Sequence, residues 1–595
     1  MAVYVVPGGL ETPLGHSARR ERWFGLGLAF AYVAVAIALT YPGVLTYTHS
    51  ALGIPGDLFQ NLWNIQWVEG WLDGHHALYF TSLEYYPIGA NLAWETLSLP
   101  VTIVASILSP IIGLAASYNS ILLFSLVLDG MATYGFARKV GLHRLGASLA
   151  GLVFMTSPYF VGQLLGHVNM VSSFSVPFFL TILWTLYEDP NASLWTYFGL
   201  SITLALTTYI VQDYALYAIA AGFLLLWLHP GRPWRTVWAE WWRWAVAIVA
   251  YVALVAPQVY AMLYGPLAVH AAAAQPVTTP WVVDLEGLVL PQPWGFFAGL
   301  ATHWRLAPDL IDGGIFPGFV LWGAAITLVW KRRQLSSRHR AVVGWAAVGT
   351  VVFAILSLGP VLHIGGHVTS IPLPDRVLTA LPLWQDTWPE RLAMMTALFG
   401  AILVGVAAEW LRTHLDDNAT SQPRGRFIVL ASTLLLVVLA SSTLGFAATP
   451  IPSVPYASAV RHAGGTVLYV PAVLPGTRMT YGPFNYMYVE GILGVPTPEG
   501  YVSRIPAQTR QQLDRSAVLH YLWGIQFVRN LPSQYASAAQ TQFPGYLRRH
   551  HVHSIIFLAV SGVAHPHRTV SWLRQHLSTA WRMRNYGTTT VFLRR

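Results

Sequence analysis

The sequence predicts a polytopic α-helical membrane protein that carries a small α/β domain at its C-terminal end. Charged residues make up only 10% of the 595 residues, against roughly 25% in a soluble globular protein. Hydrophobic residues make up 54%, and tryptophan alone occurs 25 times. This composition excludes a disordered chain, a protein that mainly binds nucleic acid and an ordinary cytosolic enzyme. The lack of cysteine excludes disulfides, thiolate metal sites and cysteine nucleophiles.

The charge distribution divides the chain near residue 447. Residues 450–595 contain 14 arginines and 3 acidic residues, a net charge of +11, whereas the whole chain has a net charge of +9. The part before residue 450 is therefore slightly acidic overall. We expect a membrane module over residues 23–447 and a separate external α/β domain over residues 448–595.

The first predicted helix covers an apolar run from about residue 24 to 47. This run is too long for the apolar core of a signal peptide. Arg19, Arg20 and Arg22 precede it, so the positive-inside rule places residues 1–22 in the cytoplasm.

The next 115 residues, up to Arg138, contain no lysine or arginine. Such a segment is expected on the outside, and residues 48–96 are predicted to form a structured external loop. In this loop Trp63, Trp67 and Trp71 are spaced at i, i+4 and i+8, which predicts a helix that rests at the lipid headgroups.

The apolar run over residues 97–116 contains two prolines and allows two topologies. A full span would place Arg138, Lys139 and Arg144 outside, and a re-entrant or interfacial segment would place them inside. The positive-inside rule favours the second topology.

With that topology, loops that contain clusters of lysine and arginine alternate along the chain with loops that are acidic or neutral. The further predicted spans are 118–137, 146–165, 169–187, 194–211, 214–229, 244–262, 314–330, 341–361, 391–411 and 427–447. The sequence thus predicts about eleven spans in the plasma or inner membrane, with the N-terminus inside and the C-terminus outside. The positive tail does not oppose this orientation, because long domains cross the membrane regardless of charge.

The tail has the pattern of a small α/β domain. The runs GGTVLYVPAV and HSIIFLAV predict buried strands, and GTTTVFLRR predicts a last strand. The segment RTVSWLRQHL predicts an amphipathic helix.

Polar residues at the predicted external helix ends are the candidate site residues. They are Asp57, His167, Asn169, Asp213, Arg376, Glu390 and Arg391. Each could simply be solvated, and Asp57 could instead cap the helix that follows it. Their repeated appearance at one membrane face favours a shared site.

Several short motifs resemble the GT-C superfamily of integral-membrane glycosyltransferases, in particular a bacterial branch without a known activity. The motifs are Gly56-Asp57 with Asn61-Leu62-Trp63, Ala137-Arg138-Lys139-Val140-Gly141, Ser157-Pro158-Tyr159, Gly166-His167-Val168-Asn169, Leu358-Gly359-Pro360 and Pro389-Glu390-Arg391. The resemblance covers roughly residues 20–445.

The resemblance implies inverting sugar transfer from a polyprenyl-phosphate donor to a glycan, lipid or protein acceptor of the cell envelope, outside the cytoplasm. It implies that Asp57 is the essential acid of the first external loop, acting as a base or as a ligand of a divalent cation such as Mg²⁺ or Mn²⁺. Arg391 and Arg376 are the cations available for the leaving phosphate. Where many relatives have a second acid, this sequence has His167 and Asn169.

Two other functions remain open at this stage. A transporter or lipid flippase would show inverted repeats and broken helices in matching halves, and the sequence shows no such symmetry. A non-catalytic membrane subunit would present the tail to a partner. Membrane lipids surround the protein under each of these hypotheses, and none involves nucleic acid.

Overall fold

The computed structural model describes residues 13–189, 191–229, 234–268, 282–290, 318–381, 383–384, 387–417, 445–472, 485–502, 505, 507–527, 533–558 and 566–595, with isolated residues between 427 and 435. Within these residues the chain is mostly helical and forms four small sheets.

The α-helices before residue 420 form the apolar module. They are α1 (Pro13–Leu39), α2 (Asp57–Leu72), α3 (Leu99–Ile112), α4 (Leu114–Lys139), α5 (Arg144–Met155), α6 (Pro158–Gln163), α7 (Val168–Val171), α8 (Ser175–Glu188), α9 (Leu194–Ile210), α10 (Gln212–Leu228), α11 (Trp234–Ala239), α12 (Trp241–Tyr264), α13 (Phe319–Lys331), α14 (Ser337–Ser357), α15 (Asp375–Leu378) and α16 (Ala393–Asp417).

Seven helical stretches of the described chain are long and apolar enough to cross a membrane, and three shorter apolar helices accompany them. Large apolar side chains such as Trp195, Ile326 and Trp330 are exposed on this module, as expected for contact with lipid. The protein is thus a polytopic helical membrane protein. The predicted helix over 427–447 lies largely outside the described residues.

The module has two chemically different ends. At one end, here called the loop face, the Asn119 amide oxygen accepts a hydrogen bond from the Leu52 backbone N–H over 2.8 Å. Helix α4 runs from there to Arg138 and Lys139 at the opposite, basic end. At the basic end Arg144 pairs with Glu21 and Lys139 pairs with Glu188.

Helix α3 lies along the loop face and does not cross the module. Just before it begins, Ser98 Oγ donates to the carbonyl of Ile210 at the end of α9 over 3.0 Å. In its middle, Ser106 Oγ donates to the Ile65 carbonyl of α2 over 2.9 Å. Asn119, soon after its end, is again at the loop face. This placement supports an interfacial segment rather than a full span.

The strands and tail helices complete the structure. The strands are β1 (Ser50–Leu52), β2 (Phe80–Thr81), β3 (Ala90–Asn91), β4 (Val361–Ile364), β5 (His367–Pro372), β6 (Ala448–Pro450), β7 (Thr466–Val470), β8 (Val552–Phe557), β9 (Trp581–Tyr586) and β10 (Thr589–Arg594). The tail helices are α17 (Ala457–Ala463), α18 (Asn485–Leu493), α19 (Ala507–Asp514), α20 (Ala517–Phe527), α21 (Ser533–Arg549) and α22 (Pro566–His576).

The tail contains a four-stranded sheet in the order β7-β8-β10-β9, in which only the β7–β8 pair is parallel. The three predicted strands and the predicted amphipathic helix, α22, are confirmed. Strand β9 was not predicted. It lies at the sheet edge with Arg582 and Arg584 exposed, so its sequence lacks the apolar run that marks a buried strand.

The tail is joined to the external-loop segment by backbone hydrogen bonds. Strand β6 pairs with β1 in antiparallel fashion, and the Tyr85 N–H donates to the Glu499 carbonyl over 2.8 Å. Helix α18 packs on α2, which leaves Trp63 only 2% exposed. The prediction that Trp63 and Trp67 rest at the lipid headgroups is therefore wrong, because the loop and the tail bury both side chains.

Candidate active site at the loop face

Asp57 lies in the first turn of α2, next to a segment from the far end of α6. Gly56 precedes it with a φ of 145°, which a residue with a side chain rarely adopts. The Ile54 N–H donates to the Leu165 carbonyl over 2.8 Å. The Asn61 side-chain amide donates to the Gly166 carbonyl over 2.8 Å. These two bonds fix the start of α2 against residues 165–167.

The Asp57 carboxylate contacts side chains from two other parts of the chain. Its Oδ2 lies 3.1 Å from His167 Nε2, and its Oδ1 accepts a hydrogen bond from the Tyr501 hydroxyl over 3.4 Å. The other ring nitrogen, His167 Nδ1, lies 2.6 Å from the amide oxygen of Gln163. A protonated imidazole would donate to both oxygens. With the Asp57 side chain 36% exposed, the carboxylate remains open to a ligand.

The surroundings of Asp57 keep it ionised. Burial by itself raises the pKa of this carboxyl group, but the opposing effects are stronger. The His167 hydrogen bond and charge, the Arg391 charge and the Tyr501 hydroxyl together hold the Asp57 pKa below its usual range. The helix begins at Asp57 with Gly56 as its N-cap, so the alternative role of Asp57 as the capping residue does not apply.

Arg391 and Asp213 form an ion pair beside Asp57. Arg391 lies in the 3₁₀ turn Pro389–Leu392 that precedes α16, and its Nη1 is 2.8 Å from Asp213 Oδ2. The guanidinium also stacks over the Trp388 ring at 4.1 Å. A hydrogen bond from the Tyr217 hydroxyl to the Trp388 carbonyl, 3.1 Å, ties this turn to α10. The guanidinium is thus held in a defined position at the loop face.

The structure places the other candidate residues in different surroundings. Glu390 is buried in the same turn as Arg391, and Asn169 is buried in α7, two residues after His167. Arg376 is exposed on α15 and makes no ion pair with any residue of the described chain. No described contact joins Arg376 to Asp57 or Arg391, so its role stays a prediction.

The described residues do not make a protein metal site. Asp57 Oδ2 and His167 Nε2 are adjacent, but no group of three or more histidine, aspartate or glutamate side chains in the described chain could hold a metal ion. The metal role predicted for Asp57 stays a prediction, and the chemistry proposed below uses side chains alone.

Two residues of this site were not found from the sequence. Gln163 stands only four residues before His167, so a search of the polar residues around His167 would have found it. Tyr501 belongs to the tail, and nothing in its local sequence indicates that it reaches the first loop.

The fold that positions these residues is that of the GT-C membrane glycosyltransferases. The structure of the arabinofuranosyltransferase AftD from Mycobacteria superposes with a TM-score of 0.52 at 14% sequence identity, over 96% of this chain and 41% of that chain. The chain belongs to the family described as a domain of unknown function, DUF6311, whose model matches residues 29–385.

Two other solved structures are similar at lower TM-scores. ArnT from Cupriavidus metallidurans, solved with bound undecaprenyl phosphate, gives 0.48 at 13% identity over 95% of this chain and 98% of that chain. The oligosaccharyltransferase AglB from Archaeoglobus fulgidus, solved with an inhibitory peptide and a dolichol-phosphate, gives 0.47 at 12% identity over 90% of this chain and 69% of that chain. No curated protein matches the sequence.

Proposed function

We propose that this protein is a glycosyltransferase that moves a sugar from a polyprenyl-phosphate donor to an acceptor hydroxyl at the loop face. The observation that carries the proposal is the ionised, partly exposed Asp57 carboxylate, which lies near a fixed guanidinium, Arg391. The fold shared with a membrane arabinofuranosyltransferase supports the same class of reaction.

The chemistry divides between these two side chains. Asp57 accepts the proton of the acceptor hydroxyl while the hydroxyl oxygen bonds to the anomeric carbon. The bond from that carbon to the donor phosphate breaks on the opposite side, so the anomeric configuration inverts. The lipid phosphate leaves with the bonding electron pair, and Arg391 stabilises its charge.

His167 and Asp213 position these groups. His167 holds one oxygen of Asp57 and keeps the carboxylate ionised before the acceptor binds. Asp213 binds Nη1 of Arg391 and so fixes the position of the guanidinium, whose planar donor group matches a phosphate. In this proposal the loop face and the tail are on the extracytoplasmic side, where the acceptor is a glycan, lipid or protein.

A transfer assay tests the proposal. The full chain in lipid nanodiscs is given a panel of radiolabelled polyprenyl-phosphate monosaccharides and an envelope extract as acceptor. We expect Asp57→Asn to fold and to lose transfer by a factor on the order of 10² to 10⁴. The control is Asp73→Asn, which changes an exposed acid at the other end of α2. Transfer by Asp57→Asn at the wild-type rate would refute the proposal.

A further inference from the structure

A β-hairpin and a short helix at the loop face expose large apolar side chains. Strands β4 and β5 form the hairpin, and α15 follows β5 after two residues. The exposed side chains, here called the hairpin surface, are 37–73% exposed and are those of Ile364, Val368, Ile371, Val377 and Leu381. A single exposed apolar side chain is normal on a protein, but five of them within residues 364–381 indicate an interaction surface.

The hairpin surface belongs to a segment that is firmly held. At the turn between the two strands, the Asp284 carboxylate accepts hydrogen bonds from the N–H groups of Gly365, over 3.0 Å, and Gly366, over 2.7 Å. At the base of the hairpin, Leu362 and Leu373 pack against the apolar core. The exposed apolar side chains therefore lie on the outside of an ordered segment.

The same segment carries almost no charge. Residues 358–374 contain no aspartate, glutamate, lysine or arginine. Asp375 is buried, so within residues 358–381, all of which the structure describes, Arg376 is the only exposed side chain of these four types. Loops that lie in water are normally polar. Apolar side chains with a cation beside them are instead typical of a segment at a lipid surface.

The hairpin surface continues the part of the module that contacts lipid. Helix α14 ends at Ser357 and β4 begins at Val361. Towards its end α14 exposes Val348, Val351 and Ile355, which stand at i, i+3 and i+7 and so share one side of the helix. No charged residue separates this apolar row from the hairpin in the sequence. Lipid, which contacts the row on α14, is therefore the partner whose chemistry matches the hairpin surface.

We propose that the hairpin surface inserts into the lipid leaflet at the loop face. The side chains of Ile371 and Val377 then lie among the upper parts of the acyl chains, and Arg376 pairs with lipid phosphates at the boundary. The hairpin and α15 are thus a membrane anchor in addition to the helices that cross the membrane. This assignment is independent of the proposed sugar transfer.

A series of side-chain contacts joins this anchor to Arg391. Asp375 Oδ1 accepts a hydrogen bond from Trp384 Nε1 over 2.9 Å, and the centroids of the Trp384 and Tyr217 rings are 5.8 Å apart. The Tyr217 hydroxyl donates to the Trp388 carbonyl, in the segment that leads into the turn of Arg391. In this proposal the anchor therefore sets the depth of Arg391 relative to the lipid headgroups.

Spin labels measure the depth of the hairpin surface. The chain has no cysteine, so one introduced cysteine is the only position that is labelled. Ile371→Cys and Val377→Cys each receive a nitroxide in the full chain, reconstituted in nanodiscs of phosphatidylcholine and phosphatidylglycerol. EPR power saturation compares collisions with oxygen, which concentrates in lipid, and with a water-soluble nickel chelate. We expect the oxygen-to-nickel ratio at both labels to exceed that of a label in water by about threefold or more, because an interfacial segment buries its apolar face about 5–10 Å deep.

Two labelled variants give the reference values. Ile326→Cys lies in the middle of α13, where the side chain is 65% exposed, and reports contact with lipid. Asp514→Cys replaces an exposed acid of α19 in the tail and reports contact with water. Melting curves check that each labelled variant is folded, and Val368→Cys replaces either hairpin variant that melts below the unlabelled chain.

The two collision rates distinguish lipid from the other possible surroundings. Labels on the hairpin surface that favour oxygen, as the label at residue 326 does, support the anchor. Labels that collide with the nickel chelate as often as the label at residue 514 would overturn the proposal, because the surface would lie in water. Labels that neither reagent reaches would also overturn it, in favour of a protein cover such as a second copy of the chain.

Discussion

His167 Nε2 lies 3.1 Å from Asp57 Oδ2 and links the first loop to the segment that follows α6. This contact lowers the pKa of Asp57 against the opposing effect of burial. A general base must be deprotonated before the acceptor binds. The position of His167 therefore sets the acidic limit of the proposed reaction.

The first prediction concerns this acidic limit. The wild type should keep its kcat/KM for transfer at pH values below the usual carboxyl range, because the Asp57 pKa is lowered. His167→Gln removes the imidazole that lowers the pKa of Asp57, so this pKa should rise and the acidic limb should move to higher pH by about one unit. A pH profile of kcat/KM measures the change. The control is His76→Gln, which alters a histidine stacked on Trp67. If the acidic limb of the pH profile stays at the wild-type pH in His167→Gln, the prediction is contradicted.

The second prediction concerns Arg391 and its partner Asp213. Arg391→Lys keeps the positive charge but loses the planar arrangement of donors that matches a phosphate. We expect polyprenyl phosphate to bind about tenfold more weakly to the variant, with little change in the melting temperature. Arg340→Lys at the basic end of the module should leave the affinity unchanged. Equal binding by Arg391→Lys and the wild type would rule out a phosphate contact.

A double-mutant cycle tests whether Asp213 positions Arg391. Asp213→Asn should weaken the binding of polyprenyl phosphate in the wild-type background and should have little further effect in Arg391→Lys. Additive losses would show that the two side chains act separately.

The sequence predicted most helices and the main members of the site, but it did not predict how the tail contributes. Asp57, His167, Asp213 and Arg391 each stand at the end of an apolar run, and helices that cross one module bring such ends together. Tyr501 reaches Asp57 only because β6 pairs with β1 and α18 covers α2. These are contacts between distant parts of the chain, and a local sequence pattern cannot predict them.

The burial of Trp63 illustrates the same limit. A stripe of tryptophans on one helix face is typical of a helix at the membrane interface, and α2 does have the predicted helical form. Its aromatic face is covered by the tail and by the rest of the loop. The sequence of α2 specifies an apolar face, whereas the identity of what covers that face depends on the folded tail.

The third prediction is the orientation of the chain. The basic residues of α4, α5 and α14 lie at the end of the module away from Asp57, so the positive-inside rule places that end in the cytoplasm. A reporter that is active only outside should work when fused after residue 447, and a cytoplasmic reporter should work between Lys331 and Arg340. The opposite result for the tail fusion would place the loop face inside and exclude an extracytoplasmic reaction.

The last prediction concerns two buried acids where the loop meets the tail. Glu84 of the loop and Glu490 of α18 are both fully buried. Burial raises the pKa of Glu490 to about 8. Burial and the nearby Glu490 charge also raise the pKa of Glu84. The Tyr486 hydroxyl and the Tyr501 N–H donate to Glu84, but they do not outweigh these effects.

Protonation of this pair should make the docking of the tail depend on pH. An unfolded glutamate has a pKa of about 4.3, so the folded form binds more protons between that value and about pH 8. Stability is then fully present below the unfolded pKa and falls as the pH rises, by about 1.4 kcal/mol per pH unit for each proton bound. The melting temperature, followed by tryptophan fluorescence, should therefore fall between pH 5 and pH 8.

Two variants test this dependence. Glu490→Gln should flatten it and should melt higher than the wild type at pH 8. Asp514→Asn, which changes an exposed acid of α19, should keep the wild-type slope. A Glu490→Gln variant with the full wild-type slope would show that this pair does not control the docking.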